Sequence, residues 1–230
     1  MKKALTMALL ATMAGGSVAT QAYEAGDIIF RAGAVTVDPN ASSDKINLPG
    51  VPALEADVDD DTQLSIIPVY MVSDKWGVEL LAATPFEHDV SVGGGGIELA
   101  AGSVKHLPPT LSVQYYPRGG KSGWQPYFGI GANYTFIFDE EVDGELKGAL
   151  GAILGATDAN LDLDDSFGLS AQAGVDIPLG EHWAINAGVW YIDISTTAEL
   201  TAVTPGGNAK VEFDVDIDPW VYNIGIAYKF

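Results

Sequence analysis

The sequence predicts an all-β fold: an eight-stranded antiparallel transmembrane β-barrel with short periplasmic turns and long extracellular loops. Three observations predict it. Bulky apolar residues alternate with small or polar ones at period two in segment after segment. The segments have the length a tilted strand needs to cross a bilayer, about 9–11 residues. The connections between them alternate short and long, as they do when turns lie on one rim and loops on the other.

Composition suits one folded domain, with 230 residues, 47% of them hydrophobic and 18% charged. The chain has no cysteine, which excludes a disulfide framework, a thiolate metal site and a cysteine nucleophile. Lys2 and Lys3 lead an apolar run, Ala4 to Ala14, followed by small residues. That is the pattern of a secretory signal, and the run is too short to span as a helix. The predicted division is therefore a signal peptide, 1–22, and a barrel domain, 23–230. Cleavage after Ala22 is preferred to cleavage after Ala19. Losing the signal removes two lysines and no acid, so the formal charge falls from −20 to −22. Nucleic acid is excluded as a partner, because binding it needs basic clusters.

The strands read in order. In 27–37, Ile28, Phe30, Ala32 and Ala34 share one face and Arg31 and Gly33 the other. In 62–73 the outward set is Leu64, Ile66, Tyr70 and Val72; in 76–86 it is Trp76, Val78, Leu80 and Ala82, opposite Glu79. Leu111, Val113 and Tyr115 oppose Ser112 and Gln114 in 109–117. Phe128, Ile130, Ala132, Tyr134 and Phe136 oppose Gly129, Gly131, Asn133 and Thr135 in 125–138. Phe167, Leu169, Ala171, Ala173, Val175 and Ile177 oppose Ser170, Gln172, Gly174 and Asp176 in 167–179. Segment 183–196 and the tail from about Ala209 to Phe230 complete the eight.

Ser73–Lys75, Arg118–Trp124 and Gly180–His182 are short turns; 38–61, 87–108, 139–166 and 197–208 are long, acidic and glycine-rich. They are expected to be polar loops, with GGGG at 93–96 a flexible one. Hydrocarbon offers backbone groups no water, so the sheet must close and the last strand must pair with the first. Trp76, Tyr127, Trp183, Trp220, Tyr222, Tyr228 and Phe230 fall near strand ends, where aromatic rings suit the membrane interfaces. Asp214, Asp216 and Asp218 share parity with Trp220. Either they stand above the membrane, the preferred reading, or a bulge near Pro219 shifts the phase.

Five segments, EAGDIIFRAGAVTVDP, WGVELLAATPFEHD, KHLPPTLSVQYYP, QPYFGIGANYT and DIDPWVYNIGIAYKF, closely resemble the OmpW family in the same order. The resemblance implies a Gram-negative outer-membrane barrel with a narrow, largely apolar lumen, and a role in passage of small hydrophobic molecules. It also implies contact with outer-membrane lipid and lipopolysaccharide, and assembly by the barrel machinery through the terminal Phe230.

Parity turns Arg31, Glu79, Gln114, Asn133, Gln172, Asp176 and Asn186 towards the lumen. Arg31 with Glu79 or Asp176 is expected to form a polar plug in the periplasmic half. Ile67, Val69, Met71, Leu81, Trp190 and Ile192 also face in and are expected to line an apolar upper section. An eight-stranded bore is just wide enough for side chains to fill. Two readings therefore stand: packed filling, or an apolar path blocked below. Pro68, inside a strand and without a ladder donor, is expected to mark a lateral seam through which a solute leaves.

Other chemistry finds less support. His88, His106 and His182, with Ser91 and Ser103 nearby, show no spacing that singles out a nucleophile and its base. No catalytic residue is assigned. DVDDD (57–61) and LDLDD (161–165) lack the Gly and Glu of a calcium loop, so no dedicated metal site and no cofactor are expected. The alternative to transport is a structural or adhesive surface barrel, or a receptor.

Overall fold

The computed structural model describes residues 22–46 and 53–230. The predicted signal peptide, Ala22 apart, lies outside the described residues. The chain runs β1 (Ile28–Asp38), β2 (Ser42–Ser43), β3 (Glu55–Val58), β4 (Asp61–Ser73), β5 (Trp76–Ala83), β6 (Phe86–Gly94), β7 (Ile97–Leu107), β8 (Thr110–Tyr115) and β9 (Gln125–Val142). It continues through α1 (Gly144–Leu154), β10 (Asp158–Leu163), β11 (Ser166–Pro178), β12 (Trp183–Ile192), β13 (Ser195–Val203), β14 (Ala209–Asp216) and β15 (Trp220–Lys229).

Eight of these close into an antiparallel barrel, in the order β1, β4, β5, β8, β9, β11, β12, β15. Strand β15 pairs with β1 from Ile29↔Lys229 to Asp38↔Trp220, so no edge faces lipid. At Gly33, opposite Gly225, a side chain would strike the carbonyl of Ile224 and lie 2.6 Å from the Gly225 Cα. This seam is drawn tight because both partners are glycine.

The outward faces carry the bulky residues that the alternation predicts. Ile130 is 74% exposed and Leu169 67%, whereas Ser170, one residue on, is buried. These exposed groups form an apolar band, and aromatic pairs bound it. Trp76 with Tyr115, and Trp183 with Tyr228, mark the short-turn rim. Tyr134 with Phe136, and Tyr191 with Trp220, mark the other. Tyr127 departs from the expected rim position. It shares the inward parity of Gly129 and is fully buried in the lumen.

Where described, the four long segments carry strands and a helix in place of the polar loops expected. β6 and β7 form a long hairpin closed at Gly95–Gly96, both at positive φ, so GGGG is a hairpin turn. β3 adds to its edge. β10, β13, β14 and β2 make a second sheet. Helix α1 is capped by the Asp143 side chain on the Glu145 N–H and ends at Gly155 in the left-handed conformation. It buries Leu146 and Leu150. The chain bends between β14 and β15, where Asp218 takes φ 38°. Asp214 and Asp216 therefore stand in the second sheet, above the membrane, and the wall starts afresh at Trp220.

Nitroxide labels test the assignment of faces. Labels at Ile130 and Leu169 are expected to be relaxed by oxygen dissolved in lipid, and a label at Ser170 to be shielded from it. The reverse pattern would invert the wall.

Candidate functional site

The interior has layers set by the pleat. At the periplasmic end Tyr23, Ile29, Val69, Met71, Tyr116, Tyr127, Ala184 and Ala227 pack together. Val69 and Met71 thus lie below the charged layer, correcting their assignment to the upper lining. On β1 Val69 pairs with Ile29, before Arg31 in the chain, and on β5 it borders Glu79, while the Met71 N–H donates to the Asp27 carbonyl.

The charged layer comes next. Arg31 donates from Nη1 to Glu79 Oε2 (2.8 Å), from Nη2 to Asp176 Oδ2 (2.6 Å) and to the Tyr116 hydroxyl (2.9 Å), and from Nε to Asp176 Oδ1 (3.2 Å). All three charged side chains have zero exposure. The guanidinium also lies over the Tyr127 ring, 4.4 Å from its centre. Gln114 and Gln172 donate to Glu79, and Tyr23 and Asn186 to Asp176. Asn223 donates to Asn186 and Ser65 to Asn223. Each of the eight wall strands contributes a side chain to this network. Small residues make room for it: a Cβ at Gly174 would collide with the Tyr127 ring. Tyr23, the residue after the preferred cleavage site, enters the layer without any periodic signal in the sequence.

Above the charges Val35, Val37, Ile67, Leu81, Phe86, Trp190, Ile192, Ile194 and Val221 form an apolar layer. Four of the predicted lining residues, Ile67, Leu81, Trp190 and Ile192, sit here. Higher still, a cavity of about 80 Å³ runs up to Leu54 and Leu146 under α1. Its wall is aliphatic apart from Phe213, Thr135, His88 and His106. The segments read as loops build this roof.

The two histidines sit diagonally across the β6–β7 hairpin, His88 opposite Val104 and His106 opposite Phe86. Their Nε2 atoms lie 2.8 Å apart, and His88 Nδ1 is 2.6 Å from the Asp59 carbonyl. The rings stack on each other and on Phe86. Sequence spacing does not show this pairing, which exists only in the register of the hairpin.

The wall has an unpaired stretch beside the apolar layer. The β5–β8 ladder ends at Leu81↔Thr110, and pairing resumes between β6 and β7 at Phe86↔His106. Between them lie Thr84–Pro85 on one side and Pro108–Pro109 on the other. Prolines supply no ladder donor. A small apolar cavity behind this stretch is lined by Leu81, Ala82, Ala83 and Pro108. At Pro68 the β4–β5 pairing passes from Ile66↔Ala82 to Val69↔Glu79 in unchanged register.

A closed eight-stranded barrel with a lipid-facing band, a sealed periplasmic half and an apolar extracellular chamber defines a small outer-membrane barrel protein of Gram-negative bacteria. The chain belongs to the OmpW family, whose model matches residues 24–230. It is 44% identical to outer membrane protein W of Vibrio cholerae, over 97% of each chain. Among solved structures it resembles the crystal structure of OprG from Pseudomonas aeruginosa, with a TM-score of 0.81 and 46% identity over 92% of this chain and 99% of that one. A more distant relative, 26% identical over 87% of each, is the dibenzothiophene metabolism operon protein PahQ of Pseudomonas aeruginosa.

Two outcomes follow from these layers. Replacing Arg31 by Met leaves two buried acids unpaired, which is expected to cost about 3–5 kcal/mol in urea unfolding of the detergent-solubilised barrel. Adding E79Q and D176N should recover much of that loss. The second concerns pH. Burial pushes His106 down to about 3, and burial also lowers His88 against the raising effect of Asp59, Asp60 and Asp61. An opened hairpin takes up protons at the ordinary pKa near 6.5, and the closed one does not, so closure is most stable above that value and weakens as pH falls below it. Amide exchange in β6 and β7, corrected for its intrinsic pH dependence, should show protection falling below about pH 6.

Proposed function

We propose that this barrel passes small hydrophobic molecules from the cell surface into the outer membrane. The observation that carries the proposal is the stacking of an apolar chamber on a fully buried ionic layer, with an unpaired stretch of wall just above that layer. A solute enters among the extracellular strands and occupies the chamber. It cannot continue downward without displacing Arg31, Glu79 and Asp176 from their hydrogen bonds, which is costly for buried charges. The exit is sideways, between Ala82–Pro85 and Leu107–Pro109, where no ladder hydrogen bond has to break. Pro68 weakens the neighbouring β4–β5 seam in the same part of the wall. Transfer of apolar surface from water to lipid supplies the driving force, about 25 cal/mol per Å².

This reading uses Ile67, Leu81, Trp190 and Ile192 as lining and assigns no covalent step to any residue. PahQ supports it as a relative named for the metabolism of an apolar aromatic compound. The partners are outer-leaflet lipid, lipopolysaccharide and the solute itself, with the exposed Phe230 presented to the assembly machinery.

The test is uptake of an apolar dye by vesicles containing the full-length barrel. The A83W variant fills the stretch beside the small cavity and is expected to reduce uptake to that of protein-free vesicles, while the barrel still shows its heat-dependent gel shift. Undiminished uptake by A83W would rule out the lateral route, and no uptake by the unaltered protein would leave a surface barrel without transport.

A further inference from the structure

The chamber wall carries one polar feature that packing does not explain. Asp59 contributes a carbonyl, which only accepts, so His88 Nδ1 must hold a proton. In the neutral imidazole His88 Nε2 is then an acceptor. Its partner, His106 Nε2, must therefore donate. That leaves His106 Nδ1 as a bare lone pair. His106 is 9% exposed and lines the apolar cavity, and its Nδ1, itself buried, has no hydrogen-bond partner. The hydrogen-bond chain runs from the chamber to the backbone of the Asp59–Asp61 turn, and its orientation is fixed from the far end. Stacking on Phe86 fixes the ring planes.

We propose that His106 Nδ1 is a recognition point for apolar molecules bearing a single neutral hydroxyl, such as simple alcohols and phenols. The inference rests on the chamber being a binding site, as the transport reading requires. The surroundings select the class. A carboxylate would place its charge among aliphatic side chains against a lone pair, and an ammonium would be stripped of water with no buried anion facing it. A hydroxyl donates one hydrogen bond and leaves the rest of the solute to Val104, Ile137, Leu163, Val215 and Ile217, which line the same cavity. The Thr135 hydroxyl donates to Asn133 Oδ1 and keeps its own lone pairs, but it lies below the histidines, two residues before Ile137, the β9 partner of His106. Burial holds both imidazoles neutral at physiological pH, consistent with this acceptor role.

The experiment titrates the full-length barrel in lipid nanodiscs with p-cresol and with p-xylene, which match in shape and differ by the hydroxyl. Imidazole ¹⁵N signals and hairpin amide shifts are followed, with empty nanodiscs correcting for partition. Tighter binding of p-cresol by about 2- to 10-fold is expected, the range of one net neutral hydrogen bond, with a shift of His106 Nδ1 that p-xylene does not produce. The H88F/H106F double variant keeps an aromatic stack and should bind the two equally. Equal binding by the unaltered protein, an unmoved His106 Nδ1, or a preference that survives in the double variant would overturn the assignment. If the double variant does not fold, the ¹⁵N shift in the unaltered protein decides. Vesicle uptake plays no part in this titration, so failed transport and failed hydroxyl recognition are separately visible.

Discussion

The ion pairs of Arg31 with Glu79 and Asp176 set the terms for everything else in the lumen. Three charges in a medium without water are tolerated only if nearly every donor and acceptor is met. That demand recruits Gln114, Gln172, Asn186, Tyr116 and Tyr23, and it fixes which positions must be small. Gly174 is small because Tyr127 occupies the space beside it, and Tyr127 is there because the guanidinium lies on its face. The network fills the bore and divides it into a packed lower part and an apolar upper part. A barrel of this size with an entirely apolar interior would have no such boundary.

The boundary gives the upper half its character. The acidic residues of the long segments point to solvent, and their aliphatic neighbours point inward. Leu146, Leu150, Leu200 and Ala202 pack beneath a polar exterior. A strongly negative protein thus encloses a greasy chamber. Charge keeps the outer surface soluble, and period-two alternation continues into strands that have already left the membrane.

How much of this was legible in the sequence depends on what imposes the pattern. Lipid imposes alternation directly, so Ile130, Leu169, Leu64 and Ile224 could be read one residue at a time, and Arg31, Glu79 and Asp176 followed by parity. Depth is different. Val69 and Met71 share parity with Ile67, and only the pairing of β4 with β1 places them below the charges. Tyr127 lies near a strand end, which suggests a rim, but it shares parity with Gly129, and parity decides. The extracellular strands are not legible because their outward faces meet water and carry Asp, Glu and Gly, the composition of loops. With them went the His88–His106 pair. The doubled proline in KHLPPT and the proline in AATPF were visible, but their juxtaposition exists only after the barrel has closed.

The eight-strand reach of the Arg31 network also bears on how the molecule comes apart. Peeling away β12 removes Asn186 from Asp176, and peeling away β5 removes Glu79 from the guanidinium. Either way a buried charge loses partners before water can replace them. The strands that partner the charges do not fray alone through this level, so they separate together, and the route to disassembly is gated by its barrier height as much as by equilibrium. A polar layer that blocks the bore thereby also gives the barrel a long lifetime in the membrane.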